Sequence, residues 1–300
     1  MSELFKGTGV AIITPFHDSG NIDFGSFEKI IEHIIAGGVN YIVALGTTGE
    51  SVTLSRDEKV AVLEFVVEIV NKRIPVVAGL GGNSTQDVIN TIKATSFDGI
   101  DAILSVCPYY NKPQQKGLYG HYKAIAGACP VPVILYNVPG RTSMNISAET
   151  TLKLAADFSN IIGIKEASGN LLQCMEIIKD RPQDFLVISG DDALTLPLIA
   201  LGADGVISVI ANAFPFQFSE MVNLCMKGKF SKARTVHYDL LAFTNALFMD
   251  GNPSGIKAAM ETIGLCKSNV RLPLTKVNKN VHSIIAEQVE LILKNQMEIN

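Results

Sequence analysis

A lysine stands at the end of a short apolar run in the segment IIGIKEASGN, residues 161–170. The run from Ile161 to Ile164 has the composition of a buried strand, and Lys165 follows where that strand ends. Apolar surroundings favour the neutral amine of a lysine, because burial disfavours the charged form. A neutral amine can attack a carbonyl carbon and form a Schiff base. Taken alone, Lys165 could equally be an exposed lysine at a strand end, or one paired with a carboxylate.

Three other segments carry side chains suited to the same chemistry. Tyr136 ends the run PVILYNV (132–138), and its phenol could move protons beside Lys165. GTTGES (46–51) offers backbone N–H groups and two hydroxyls that can hold a carboxylate or a phosphate, without the Gly-Lys ending of a P-loop. Arg141 has a guanidinium suited to a carboxylate partner. The structural alternatives are a packing tyrosine, a polar turn and a surface ion pair.

Two further pairs of residues lie at predicted strand ends. Tyr109 and Tyr110, in CPYYNKP, suggest a subunit contact or the edge of a site, and otherwise loop packing. Asp191 and Asp192, in SGDD, could hold a metal, although we favour Asp192 as a helix N-cap. The five histidines have no spacing typical of metal ligands.

The elements that must position these residues alternate along the chain. Eight short apolar runs are typical of strands covered on both faces, and amphipathic segments typical of helices separate them. Repeated strand–helix units predict a parallel sheet, and eight units predict a TIM barrel, in which active sites lie at the carboxyl ends of the strands. An open doubly wound sheet is the alternative. The predicted strands are 9–15, 41–46, 75–80, 101–107, 132–138, 161–165, 185–189 and 204–209.

The strand pattern stops near residue 228. We therefore predict a (β/α)8 catalytic domain over residues 1–228 and a C-terminal helical domain over 229–300. The predicted helices of the barrel are 23–38, 55–72, 84–97, 116–128, 147–157, 169–179, 192–201 and 215–227.

The composition excludes several classes of protein. The chain has 300 residues and a net charge of -4, so it lacks the basic excess of a nucleic-acid-binding surface. Five scattered cysteines indicate neither a disulfide framework nor a zinc site. The start MSELFKGTGVAIITPF lacks the features of a signal peptide, and no apolar run reaches the ~20 residues that span a bilayer. A cytoplasmic protein is the expectation.

Six segments in this order resemble the bacterial dihydrodipicolinate synthases, also called 4-hydroxy-tetrahydrodipicolinate synthases, of the N-acetylneuraminate lyase superfamily of Schiff-base class I aldolases. They are GTTGES, PYYNKP, YNVPGRT, GIKEASGN, SGDD and GVISV, and their spacing fits over residues 5–228. The resemblance implies a lyase that condenses pyruvate with L-aspartate 4-semialdehyde at the entry to lysine biosynthesis. It also implies a tight dimer, often paired into a homotetramer, and no metal or organic cofactor, since the lysine is the electron sink.

The resemblance also assigns roles to individual residues. Lys165 would form the Schiff base with pyruvate, and a proton relay would comprise Tyr136, Thr47 and Tyr110, the last lent across the dimer interface. Thr48 would hold the pyruvate carboxylate, and Arg141 would orient the relay and bind the carboxylate of the aldehyde substrate. Gly190 and Ile207 would line the pocket through their backbones.

The family's feedback site for lysine corresponds to seven positions of this chain, Ser51, Val52, Arg56, Lys59, Asn83, Asp87 and Tyr109. Inhibited members often carry histidine or glutamate at the Lys59 position, and a cation there would repel the ammonium of lysine. We therefore expect weak or absent feedback inhibition. A second departure from the family pattern is Ser254-Gly255, where many members have Ile-Pro, and we expect it to affect packing of the tail.

Two alternatives remain at this point. One is another pyruvate-dependent aldolase or lyase of the superfamily, such as N-acetylneuraminate lyase, whose members typically carry serine in the GTTGE segment and lack the arginine after YNVPG. Thr47 and Arg141 argue against it. The other is a non-catalytic carboxylate-binding relative, against which the complete set Lys165, Tyr136, Thr47 and Tyr110 argues.

Overall fold

Eight parallel strands close into a barrel in chain order, so the predicted TIM barrel is confirmed and the open sheet is wrong. The structure is a computed structural model that describes residues 2–299, and the side chains of residues 2–295. Each predicted strand is present, and seven of the eight are one or two residues shorter than predicted, mostly because the predicted runs extended into the loops. The first strand also begins two residues earlier than predicted, and the sixth is one residue longer. The strands are β1 Gly7–Ala11, β2 Tyr41–Ala44, β3 Val76–Gly79, β4 Ala102–Val106, β5 Val133–Asn137, β6 Ile161–Glu166, β7 Leu186–Ser189 and β8 Gly205–Ser208.

Twelve α-helices occur in the described residues, and all eight helices that were predicted in the barrel are among them. Ser55 and Glu58 form the predicted capping box at the start of α2. The single-turn α5, which contains Arg141, was not predicted. The helices are α1 Phe24–Ala36, α2 Arg56–Val70, α3 Thr85–Ala94, α4 Gln115–Ala128, α5 Pro139–Thr142, α6 Ala148–Asp157, α7 Leu171–Asp180, α8 Thr195–Ala200, α9 Pro215–Met226, α10 Phe230–Phe248, α11 Ser254–Thr262 and α12 Lys279–Ile299.

The strands bury both of their faces, which explains why they read as continuous apolar runs. Inward residues such as Tyr41 and Val43 fill the barrel, where Phe5 packs edge-on against Tyr41 with ring centroids 5.7 Å apart. Outward residues such as Ile42 and Ala44 belong to a second, larger cluster beneath the helices. Successive side chains therefore point alternately to the lumen and to the helices, as strand geometry requires.

The C-terminal helices pack onto the barrel through the same outer cluster. Phe214, just before α9, stacks edge-on against Phe243 of α10 with centroids 5.0 Å apart. The two helices meet around residues 227–229, but the division into two domains stays a prediction. Among the described residues, no helix is long and apolar enough to cross a membrane.

Gly255 lies where α11 approaches α10 most closely. A Cβ atom at this position would lie 1.9 Å from the carbonyl oxygen of Leu247, so the helices can approach in this way only with glycine. The neighbouring Ser254 donates a hydrogen bond to the carbonyl of Thr275 (2.7 Å). The Ser254-Gly255 pair therefore serves the packing of the tail.

Candidate active site

The central pair of the candidate site lies at the carboxyl end of two neighbouring strands. Tyr136 of β5 and Lys165 of β6 are directly opposite each other in the sheet register. The Nζ atom of Lys165 lies 4.5 Å from the centroid of the Tyr136 ring. Both side chains are buried, with 5% of Lys165 and 7% of Tyr136 exposed. An amine therefore lies inside the barrel mouth beside a phenol, as Schiff-base chemistry with proton transfer requires.

Gly190, which has no side chain, lies against the side chain of Lys165. A Cβ atom on Gly190 would lie 3.0 Å from Cε of Lys165 and 2.6 Å from Cβ of Ala167, so the lysine stem packs against the glycine. The Gly190 N–H donates to the carbonyl of Glu166 (2.7 Å), which fixes the glycine beside β6. Ile207 of β8 is 1% exposed and belongs to the apolar cluster inside the barrel.

The loop after β2 brings two threonines to the same end of the barrel. Thr47 is half-buried and Thr48 is buried. The loop folds back on itself, because the N–H groups of Gly49 and Glu50 donate to the carbonyls of Gly46 and Thr47 (both 3.1 Å). The Thr48 hydroxyl accepts a hydrogen bond from Nδ2 of Asn252 (3.0 Å), which lies two residues before the start of α11.

A buried ion pair anchors the end of this loop to the C-terminal region. Glu50 has a left-handed backbone (φ 53°) and pairs with Lys257 of α11, and both side chains are fully buried. The Lys257 ammonium also donates to the carbonyl of Asn269 (2.8 Å) and lies 4.1 Å from the centroid of the Phe16 ring. Burial lowers the pKa of Lys257, and Glu50 opposes that shift.

Arg141 lies in the one-turn helix α5 and is exposed. Its Nη2 donates to the backbone carbonyl of Asn252 (3.3 Å). Asn252 therefore contacts two of the predicted substrate-binding residues, Thr48 through its side chain and Arg141 through its backbone. No surface ion pair involving Arg141 was found among the described side chains.

A cavity of about 560 Å³ joins this rim to the predicted regulatory residues. Thr47, Tyr136 and Arg141 line one part of it. Six of the seven residues of the predicted lysine site line another part of it, and Arg56 does not; the six are Ser51, Val52, Lys59, Asn83, Asp87 and Tyr109. Lys165, Tyr110, Thr48, Gly190 and Ile207 are not among its lining residues. A larger cavity of about 700 Å³ lies between α2 and α3 and includes no strand-end candidate, so we assign the site to the smaller one.

Tyr110 lies apart from the other candidates. Its side chain is 89% exposed, and its backbone has a left-handed φ of 73° that is costly for an aromatic residue. Unusual backbone of this kind often marks functional positions. Neighbouring Tyr109 is tied to the β3 loop, since Nδ2 of Asn83 donates to its carbonyl (3.2 Å).

Asp192 is not the helix N-cap that we favoured from the sequence. Helix α8 begins at Thr195, and the side chain of Asp192 instead accepts hydrogen bonds from the N–H groups of Val209 (2.9 Å) and Ile210 (3.1 Å) after β8. Burial raises the pKa of Asp192 to about 6. The sequence places Asp192 near the helix start, but the barrel brings the end of β8 closer.

Comparison with known proteins identifies the family. A family model described as the dihydrodipicolinate synthetase family matches residues 4–293, nearly the whole chain. The chain belongs to the dihydrodipicolinate synthetase family. The resemblance stated from the six sequence segments is therefore confirmed.

Relatives of this family member cover almost its full length. The 4-hydroxy-tetrahydrodipicolinate synthase of Parabacteroides distasonis is 51% identical over 269 residues, which are 90% of this chain and 91% of the relative. The crystal structure of the chloride-inhibited dihydrodipicolinate synthase from Acinetobacter baumannii complexed with pyruvate is 42% identical, with a TM-score of 0.92 and coverage of 95% and 98%. The enzyme from Cyanidioschyzon merolae with lysine bound is 38% identical, with a TM-score of 0.93 and coverage of 96% and 98%.

Sequence reasoning missed three residues that support the site of this dihydrodipicolinate synthetase family member. Asn252 and Lys257 hold the GTTGES loop from the tail. Thr14 holds it from the loop after β1, since its hydroxyl donates to the carbonyl of Gly49 (2.8 Å). Nothing in the local pattern of Thr14 or Lys257 marks the contact.

Proposed function

We propose that this protein is a 4-hydroxy-tetrahydrodipicolinate synthase that condenses pyruvate with L-aspartate 4-semialdehyde through a Schiff base on Lys165. The observation that carries the proposal is the buried pair of Lys165 and Tyr136 at the barrel mouth, in a chain of the dihydrodipicolinate synthetase family. The pathway is lysine biosynthesis through diaminopimelate, and the cytoplasm stays the predicted location.

The first half of the reaction activates pyruvate. The neutral amine of Lys165 attacks the keto carbon, and loss of water leaves a protonated imine. This cation withdraws electrons from the neighbouring methyl group, which loses a proton and gives an enamine. Tyr136 is the group on this chain closest to these proton transfers, with Thr47 and the partner's Tyr110 completing the relay. Thr48 and its backbone hold the carboxylate of pyruvate.

The second half forms the carbon–carbon bond. The enamine carbon attacks the aldehyde carbon, and the aldehyde oxygen takes up a proton to become a hydroxyl group. The amino group of the aldehyde substrate then attacks the imine carbon and displaces the amine of Lys165, which closes the ring and restores the enzyme. Arg141, which faces the cavity and is held at Asn252, binds the carboxylate of the aldehyde substrate.

A comparison of substrates tests this proposal against another aldolase of the superfamily. We expect turnover of pyruvate with L-aspartate 4-semialdehyde, followed through reduction of the product, and no cleavage of N-acetylneuraminate. Arg141→Leu should raise the KM for the aldehyde more than the KM for pyruvate. Cleavage of N-acetylneuraminate without any condensation would contradict the proposal.

The exposed Tyr110 supports a tight homodimer in which each subunit contributes this tyrosine to its partner. The side chain is almost fully solvated in the single chain, and its loop has a costly left-handed backbone. The phenol is therefore accessible to a partner subunit. Pairing of two dimers into a tetramer follows from the family resemblance.

The lysine site is proposed to be weak or inactive. Six of the seven matching residues line one cavity, and one of these is the cationic Lys59. The ammonium of a bound lysine would meet this like charge, which disfavours binding.

A further inference from the structure

Two polar residues lie directly behind the catalytic pair. Asn137 follows Tyr136 on β5, Glu166 follows Lys165 on β6, and the two are opposite each other in the sheet register. Because successive side chains of a strand point to opposite faces, Asn137 and Glu166 face the helices while Tyr136 and Lys165 face the lumen. Nδ2 of Asn137 donates to Oε1 of Glu166 (2.7 Å). The side chains are 0% and 3% exposed.

The second carboxylate oxygen of Glu166 is held from α7 and from the loop before it. Oε2 accepts hydrogen bonds from Nε2 of Gln173 (2.8 Å) and from the hydroxyl of Ser168 (3.2 Å). Oδ1 of Asn137 accepts from the N–H of Ile146 (3.2 Å). The cross-strand contact is therefore fixed on both sides by the elements that cover it.

This arrangement is a poor means of stabilising the fold. No cation pairs with Glu166 among the described side chains, and burial raises its pKa. Transfer of a carboxyl group from water into the protein interior costs free energy, and this cost offsets much of the stabilisation from its hydrogen bonds. Apolar side chains of similar volume would therefore stabilise the fold as well. What the hydrogen bonds do supply is a fixed alignment of two strands.

The register of β5 and β6 is irregular, so a hydrogen bond that fixes it at the upper end stabilises the alignment of the two strands. Val133 pairs with Ile161, but Ile134 pairs with Gly163, so the register shifts by one residue at the base of the β5–β6 pair. A bulge of this kind adds one residue to one strand. A further shift of one residue at the upper end would turn Lys165 or Tyr136 away from the lumen.

We infer that Asn137 and Glu166 are positioning residues that lock the register of β5 and β6 above the bulge and so hold Tyr136 against Lys165. Neither touches substrate, since both lie on the helix-facing side of the sheet. The inference rests on the proposed function, because its consequence is the rate at which Lys165 forms an imine.

Reversal of the hydrogen bond tests the inference. Glu166→Gln brings an amide N–H against the N–H donor of either Asn137 or Gln173, whichever way the amide turns. Asn137→Asp brings two carboxyl groups together. In the double variant, the new glutamine donates to the new aspartate, and its oxygen still accepts from Gln173 and Ser168. Only the hydrogen bond from Nδ2 of Asn137 to Oδ1 of Asn145 (2.7 Å), which lies outside the β5–β6 contact, has no replacement. The register lock is thereby restored with donor and acceptor exchanged.

The measurement is the rate constant for trapping of the pyruvate imine on Lys165 by borohydride in the full-length enzyme. We expect each single variant to slow trapping by about tenfold or more, and the double variant to return to within about threefold of the wild type. The rate constant is independent of the fraction of folded protein, which affects only the amplitude. A purely structural role would therefore lower the amplitude and the melting temperature alone.

Asn40→Ala is the matched control. Oδ1 of Asn40 accepts from the N–H of Thr8 (2.8 Å), so it links β1 and β2 at the opposite end of the barrel. We expect this variant to lose stability and trap at the wild-type rate. Glu166→Asp, which shortens the side chain without opposing two donors, covers the case in which a single variant fails to fold, and it too should trap slowly.

Two outcomes separate this inference from the proposed function. If wild-type Lys165 is labelled but the single variants trap at the wild-type rate, or the double variant is slower than both, the register lock is wrong and the Schiff base stands. If wild-type Lys165 is not labelled by pyruvate at all, the proposed function fails and the inference fails with it.

Discussion

At the scale of single residues, Gly190 shows how the pocket depends on the absence of a side chain. Gly190→Ala would place a methyl group 3.0 Å from Cε of Lys165 and 2.6 Å from Cβ of Ala167, so the lysine stem must shift. Displacement of a reacting group by a fraction of an ångström to an ångström can slow catalysis by up to about a hundredfold. We expect kcat/KM for pyruvate to fall at least about tenfold.

Gly127→Ala provides the control for this change, because the new methyl group in α4 meets no atom within 4 Å apart from its chain neighbours and the backbone of its own helix. The measurement is kcat/KM for pyruvate, determined by steady-state kinetics for both variants. Gly190→Ala with wild-type kcat/KM for pyruvate would show that the glycine does not shape the pocket of the amine.

At the scale of elements, the tail holds the GTTGES loop through the buried pair of Glu50 and Lys257. Lys257→Met leaves Glu50 buried without its partner, which typically costs on the order of 3–5 kcal/mol. We expect a lower denaturation midpoint and a higher KM for pyruvate, because the loop that carries Thr47 and Thr48 loses its anchor. Chemical denaturation and steady-state kinetics measure the two effects.

The double variant Lys257→Met with Glu50→Leu separates stability from positioning. Removal of both charges should restore much of the stability, since apolar residues can replace a buried ion pair. The KM for pyruvate should remain high, because the loop still lacks the anchor that Lys257 provides, and only the Asn252–Thr48 hydrogen bond remains. A double variant with wild-type KM would mean that the ion pair contributes to folding alone.

The sequence predicted the elements well and their long-range contacts poorly. The β strands were evident because both faces of each are buried, and Ser55 with Glu58 marked the start of α2 by a local capping pattern. Asn252 and Lys257 contact the GTTGES loop from more than 200 positions away, and no periodicity records such a contact. Asp192 was assigned to the wrong partner for the same reason.

At the scale of the whole molecule, the proposed role of Tyr110 predicts complementation between inactive subunits. A dimer of one Lys165→Ala subunit and one Tyr110→Phe subunit contains one complete site, formed by Lys165 of one chain and Tyr110 of the other. Random exchange of subunits in a symmetric dimer should therefore restore about a quarter of the wild-type activity. Activity after mixing is the measurement, and mixtures that stay inactive after proven exchange would contradict the shared site.

Regulation also belongs to this scale, since the predicted lysine site lies against the proposed dimer contact. We expect activity to be insensitive to micromolar lysine, because the ammonium of Lys59 repels that of the ligand. Lys59→Glu should gain inhibition, while Lys116→Glu, a charge reversal on α4 outside the cavity lining, should not. Strong inhibition of the wild type by micromolar lysine would refute the idea.

The most direct test of the whole account is reduction of the enzyme with borohydride in the presence of pyruvate, followed by intact-mass measurement and peptide mapping. The account predicts one added reduced pyruvate per chain, located on Lys165, and no addition to a folded Lys165→Ala variant. Labelling at another lysine, or no labelling of a folded and active wild-type enzyme, would contradict it.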